Sequence, residues 1–262
     1  MLTLLRSGLF RRLFAATMLV TVFIIIISLV SSSLEHEKHI RAETELRHDT
    51  VAKRMALEMA LFFDHASFQL TIMADILKNI DLKNSFLGSA LNDISLDAPH
   101  FTDIAIKDMD GGDIALSMIG DRPSLQIDTA AMERALSGQD WISDVKLDRN
   151  RVPYVEMISP IVSGSRPLGM VVGRLSLKKL WFWIDEINTE SNTSLTVVKS
   201  YNGLVIADQK KELIGKTFPG WSEDRGSRTV ETPQGPLYVS YHQVPGVDLT
   251  IITQSRMAPT SA

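Results

Sequence analysis

Residues 13 to 30 read LFAATMLVTVFIIIISLV, eighteen residues without a charge, and Ser31, Ser32, Ser33 and Leu34 extend the uncharged run to twenty-two. A run of that length crosses a bilayer as a helix. Its apolar core is too long for a cleavable signal peptide, although Ser31 and Ser33 mimic a small-residue exit, so it is expected to stay as an anchor. Arg6, Arg11 and Arg12 precede it and no acid does, which keeps residues 1–12 in the cytoplasm and sends everything beyond Leu34 outside. The exported part then carries 24 basic against 31 acidic residues, a net charge of −7, and no nucleic-acid partner is expected for such a surface. The chain has no cysteine, so hydrophobic cores alone must hold it, without disulfides or thiolate metal sites.

Between Leu34 and Leu87 there is neither proline nor glycine, and Leu46, Val51, Met55, Met59, Phe62, Phe63, Leu70, Met73, Ile76, Leu77 and Ile80 recur mostly three and four apart. This predicts one very long helix, unbroken or broken once, a spine within residues 35–100 that serves more than one module or pairs with a copy of itself. After Gly88 the pattern turns to short strands at 101–108, 113–119, 141–147, 153–162 and 168–177, with a helix over 128–136. A helix follows in LKKLWFWIDEI, where Trp181 and Trp183 are expected to anchor the two sheets to each other. A second set of strands occupies 194–200, 204–209, 228–232, 237–244 and 247–253. The fold class read from this is α+β, with two antiparallel sheets in tandem over 101–176 and 193–254, a connecting helix over 177–192 and a tail over 255–262.

The stretch KDMDGGDIALS, from Lys107, carries a GGD that invites three readings. A calcium loop needs an acid at the twelfth position of the motif, where Ile119 stands, and a glycine at the sixth, where Asp113 stands. Cyclase chemistry needs a metal clamp and a phosphate cradle that the sequence lacks, and its nucleotide would lie on the other side of the membrane. The remaining reading is a hairpin turn in which Gly111 or its neighbours supply positive φ.

With the span, the long helix and that hairpin, the segments SGQDWISDV, VPYVEMISPIV, PLGMVVGRLSLKKLW and SYNGLVIADQKKELIGKTF resemble the double Cache sensor domain of bacterial membrane receptors, over about residues 35–254. The resemblance implies two stacked PAS-like sheets along a spine, a small molecule bound by the membrane-distal one, and a helix displacement relayed towards the inner membrane. It also implies a cytoplasmic kinase, cyclase or methyl-accepting output beyond a second span. The sequence ends at Ala262, so that output domain or partner protein is expected outside this chain. An R-x-W-Y run, the mark of the amino-acid-binding branch, is missing before residues 128–136, which weighs against amino acids as ligands.

Alternate residues of a strand share a face. Tyr154, Glu156 and Ile158 therefore point one way, as do Trp141 and Ser143, giving aromatic walls with a few polar groups, as a small-ligand pocket requires. Arg151, in the loop at the mouth, has the fork geometry for a carboxylate. Asp103 and Lys107 share a face and either line the same cavity or, as expected, form a surface pair. The alternative for Trp141 and Tyr154 is core packing, and for Arg151 a solvated loop. The ligand-binding candidates are thus Trp141, Ser143, Arg151, Tyr154, Glu156 and Asp103. His36 and His39 lack a third metal ligand, and Asp64-His65 lacks a nucleophile's sequence context, so no metal, cofactor or catalysis is expected.

The function expected is that of a membrane-anchored sensor binding a small metabolite, a carboxylate by preference. The rival readings are a tethered adaptor without a ligand and an exported hydrolase. Ile40, Leu46 and Val51, apolar among charges low on the spine, predict a parallel homodimer touching there, unless they pack on their own chain.

Overall fold

The computed structural model describes residues 8–82, 86–118, 125, 127–190, 194–219, 221, 226–232 and 235–256. Two compact units divide it, Met1–Arg47 and His48–Ala262. Helix α1 runs over Gly8–Leu77, as a stretch without glycine or proline allows. In the first unit, Phe14, Met18, Leu19, Val22 and Phe23 through Ile27 are exposed wherever the side chains are described. Among the described residues no helix is long and apolar enough to cross a membrane; much of the expected 13–34 span lies outside those side chains.

In the second unit α1 buries one face. Ala52, Met55, Met59, Phe63, Ala66, Leu70, Met73 and Leu77, three and four apart, pack in one core with residues of two sheets. The helix ends at Leu77, ten residues short of the expected boundary. Asn79 and Asp81, which favour turns over helix interiors, follow at once, and Asn79 and Ile80 donate to the carbonyls of Ile76 and Leu77 in a tightened last turn. A separate helix, α2, covers Leu87–Leu96.

The first sheet comprises β1 (Phe101–Lys107), β2 (Asp113–Met118), β3 (Trp141–Ile142), β4 (Lys146–Leu147), β5 (Pro153–Ser163) and β6 (Arg166–Ser176), in the order β2-β1-β6-β5-β3 with β4 also on β5. After α4 (Lys179–Glu190), the second sheet has β7 (Ser194–Lys199), β8 (Val205–Asp208), β9 (Gly226–Thr232), β10 (Gly235–Gln243) and β11 (Leu249–Arg256), in the order β8-β7-β11-β10-β9. Each sheet is thus a hairpin whose first strand pairs with the last strand of its module. Trp181 and Trp183 of α4 pack on the shared core, and Trp181 reaches the second sheet's own core as well. The second sheet is tied to the spine by His242 Nε2 and Asp49 Oδ1 at 2.7 Å.

Two details depart from the sequence reading or refine it. The expected strand 141–147 is broken, because Ser143 inserts its own side chain into the ladder: Glu156 N donates to Ser143 Oγ at 2.8 Å while Ser143 N donates to Glu156 O. The GGD stretch is the β1–β2 hairpin. Asp108 Oδ1 accepts from Asp110 N and Gly112 N, and Gly111 has φ 83°, so the carboxylate closes its own turn.

Candidate functional site

Period-two alternation gives the first sheet two chemically different faces. Val155, Met157, Val171 and Leu175 pack towards the spine. On the other face, Ala105, Ile158, Met170 and Val172 lie under α3 (Thr129–Leu136), packed against Ala131, Ala135 and Leu125. The same strands continue beyond that apolar patch with charged residues. In the β1–β6 and β5–β6 ladders, Arg174 stands directly opposite both Asp103 and Glu156.

Arg174 Nη1 donates to Asp103 Oδ2 at 3.2 Å and Nη2 to Glu156 Oε1 at 3.5 Å, while Lys146 Nζ donates to Glu156 Oε2 at 2.5 Å. The guanidinium carbon lies 5.0 Å from the centre of the Tyr154 ring. The side chains of Asp103, Glu156 and Arg174 are 3%, 8% and 12% exposed, so these charges depend on one another rather than on water. Arg174 Nε is buried and has no hydrogen-bond partner among the described residues.

Over this cluster opens a cleft of about 620 Å³. Thr102, Tyr154, Arg174 and Ser176 form its floor, Lys178 follows the end of β6, and Leu147, Asp148, Arg149, Asn150 and Val152 supply a wall. Among the described lining residues, the cations Arg149, Arg174 and Lys178 stand with the acid Asp148. That acid is engaged locally, since Asp148 Oδ1 accepts from Asn150 N and Val152 N at 2.8 Å each. Arg149 and Lys178, beside the paired Arg174, make the described lining suited to an anion of small-metabolite size. The second sheet's corresponding face is filled: Val198, Val205, Ile214, Phe218, Val239, Tyr241 and Ile252 form a core there. Its buried Asp208 is held by the Thr196 hydroxyl at 2.5 Å, and burial pushes the Asp208 carboxyl above the ordinary range, against that hydrogen bond.

Of the candidate residues, Tyr154 lines the cleft, and Asp103 and Glu156 lie beside it as counterions of Arg174. Ser143 is occupied with the strand break, its hydroxyl donating to Asp144 O. Trp141 packs on the apolar cluster under α3. Arg151 is exposed in the left-handed region at φ 60° and is absent from the wall that its neighbours Arg149 and Asn150 form. The expected surface pair of Asp103 with Lys107 does not form. Both are buried, and strand register gives Asp103 to Arg174 and Lys107 to Asp113. His65 is exposed, and the His100 imidazole is held below its ordinary value by burial and by the charges of Lys179 and His65. His36 and His39 lie outside the described side chains. Arg174 itself escaped the sequence reading, although a lone charge alternating with Val172 and Ser176 in VVGRLSL was its signal. Arg149 and Lys178 carried no such signal.

Solved structures with this architecture are sensor domains. The ligand-binding domain of the Pseudomonas aeruginosa PAO1 amino acid chemoreceptor PctC, in complex with GABA, superposes with a TM-score of 0.68 at 15% identity, covering 81% of this chain and 99% of that one. The chain has the double Cache fold. The Pseudomonas fluorescens chemoreceptor CtaA domain with L-serine gives a double Cache match of 0.63 at 15% identity, over 82% and 98% of the two chains. The extracellular domain of the histidine kinase mmHK1S-Z3 gives 0.64 at 13%, over 80% and 93%. No protein-family model and no curated protein matches the sequence.

Proposed function

We propose that this chain is the extracytoplasmic input module of a bacterial signal-transduction receptor, binding a small carboxylate in the first, membrane-distal Cache sheet. The carrying observation is the cleft whose described lining sets Arg149 and Lys178 beside the paired Arg174, with Asp148 engaged in its own turn. A carboxylate there meets Arg149 on the wall and Lys178 beyond the end of β6, with Tyr154 and Arg174 below it and Asp103 and Glu156 fixing the guanidinium. Residues 13–34 serve as the anchor with the N-terminus inside, supported by the exposed apolar side chains from Phe14 to Ile27 and by the flanking arginines. Ligand binding displaces a helix towards the membrane, to the extent that the ligand discriminates between two states. Output belongs to a cytoplasmic domain or partner protein.

In a thermal-shift screen of the full chain in detergent against organic acids, amino acids and amines, at least one acid is expected to raise the midpoint and amines are not. A panel in which no acid stabilises the protein sinks the reading.

The same reading includes a parallel homodimer, on revised residues. Val51 packs against its own chain's core, Leu46 is exposed, and the Ile40 side chain lies outside those described. Higher on α1, Leu57, Leu61, Phe68, Ile72 and Ile76 are 43–62% exposed on the side away from the buried face. A second copy would cover this stripe with its own. Cysteine at Phe68, in a chain that has none, is expected to cross-link in membranes under mild oxidation. Monomeric mass together with no cross-link at Phe68 or Leu61 removes the dimer.

A further inference from the structure

The cleft and the second sheet share one side chain. Leu147, on the short strand β4, lines the cleft beside Asp148 and Tyr154. Leu147 also packs against the second sheet's far-face core of Val198, Val205, Ile214, Phe218 and Tyr241. An ideal Cβ built on Gly215, in the turn after β8, lies 3.6 Å from Leu147 Cδ1. That turn is closely bonded to the second sheet: Gly215 N donates to Val205 O, and Val205 N to Lys216 O, both at 2.8 Å. Among the described lining residues Leu147 alone belongs to that core.

The segment around Leu147 is held at both ends. Val145 is buried in the core shared by spine and sheets, and Lys146 is bonded to Glu156 of the ion cluster. Asp144 lies near Asp248 in the β10–β11 turn of the second sheet. The Asp248 carboxyl is pushed above its ordinary range by burial first and by the Asp144 charge second. The cleft wall thus reaches the second sheet through a short, fixed piece of chain, while the other described wall residues, Asp148 to Val152, form a turn around the Asp148 carboxylate.

We propose that Leu147 is the positioning residue through which occupancy of the cleft is felt by the second sheet. This rests on the reading of the cleft as a ligand site. Close-packed side chains pass on a displacement because the interior has little void to absorb it. A group entering the cleft presses on the Leu147 side chain, and the far end of that side chain bears on the turn at Gly215. The route runs through the far faces of both sheets, away from the spine.

The test needs no natural ligand. Asn150, exposed on the wall, is changed to cysteine in the full chain, which has no other, and the thiol is modified with N-phenylmaleimide to fill the cleft. Hydrogen exchange is then read at the Val205 and Gly215 amides. Labelling is expected to change their exchange by at least about threefold. With Leu147→Ala added, the same label should leave them unchanged, and with Leu147→Met, which retains the reach, the response should persist. Should the alanine variant fail to fold, Leu147→Val shortens the side chain more gently and is expected to reduce the response. An unaltered response in the shortened variants, or no response in the parent, overturns the proposal. Failure of the organic-acid screen and failure of this relay are separable, because the label occupies the cleft whether or not an acid binds there.

Discussion

Replacing Arg174 with methionine is expected to destabilise the chain by about 3–5 kcal/mol, the range for removing one partner of a buried ion pair. The size follows from what remains. Asp103 and Glu156, 3% and 8% exposed, keep their carboxylates, and Lys146 stays paired with Glu156. Packing loss at Tyr154, whose ring the guanidinium covers, adds to the deficit. Urea unfolding of the full chain in detergent measures this. Adding Asp103→Leu and Glu156→Met to the variant should restore much of the loss, since a fully apolar replacement leaves no buried charge unpaired. A single variant as stable as the parent contradicts the buried cluster.

The second large effect is expected at Gly173, the β6 residue facing the spine beside Arg174. A Cβ there would sit 2.6 Å from two ring carbons of Phe101 and 3.1 Å from Leu70 Cδ2 on α1. Both neighbours are buried, Phe101 5% and Leu70 1% exposed, so neither has open space to move into. Gly173→Val suits a strand by backbone preference and therefore isolates the packing cost, about 3 kcal/mol at the upper end for overpacked cores. A denaturation midpoint equal to the parent's would mean that helix and sheet do not meet as described.

These two neighbours in β6 mark how far the sequence could be read. Alternation in PYVEMISPIV and LGMVVGRLSL displayed two strands and their faces, because burial on one side forces a period of two. That Asp103, Glu156 and Arg174 meet was hidden, because residues 71 and 18 positions apart come together only through strand register. The matching strand orders of the two sheets left no repeated sequence, since what recurs is connectivity rather than side chains. The break at Ser143 depended on the partner strand's Glu156 N, which no local pattern in WISDVKL announces. Arg151 misled for a related reason. The Asp148 turn puts it in the left-handed region, exposed, and leaves the wall to Arg149 and Asn150. Likewise, the apolar spacing of α1 passed straight through Leu77, where the turn-forming Asn79 and Asp81 ended the helix instead.

The central claim is that the cleft of the first sheet holds a carboxylate, and calorimetric titration tests it most directly. An acid that stabilises the full chain is titrated into the parent protein and into Arg149→Glu and Lys178→Glu variants, both positions lying outside the buried ion cluster. The account predicts one site per chain in the parent and binding at least about tenfold weaker in each variant, a loss of about 1.4 kcal/mol or more. Equal affinity in all three proteins would contradict it.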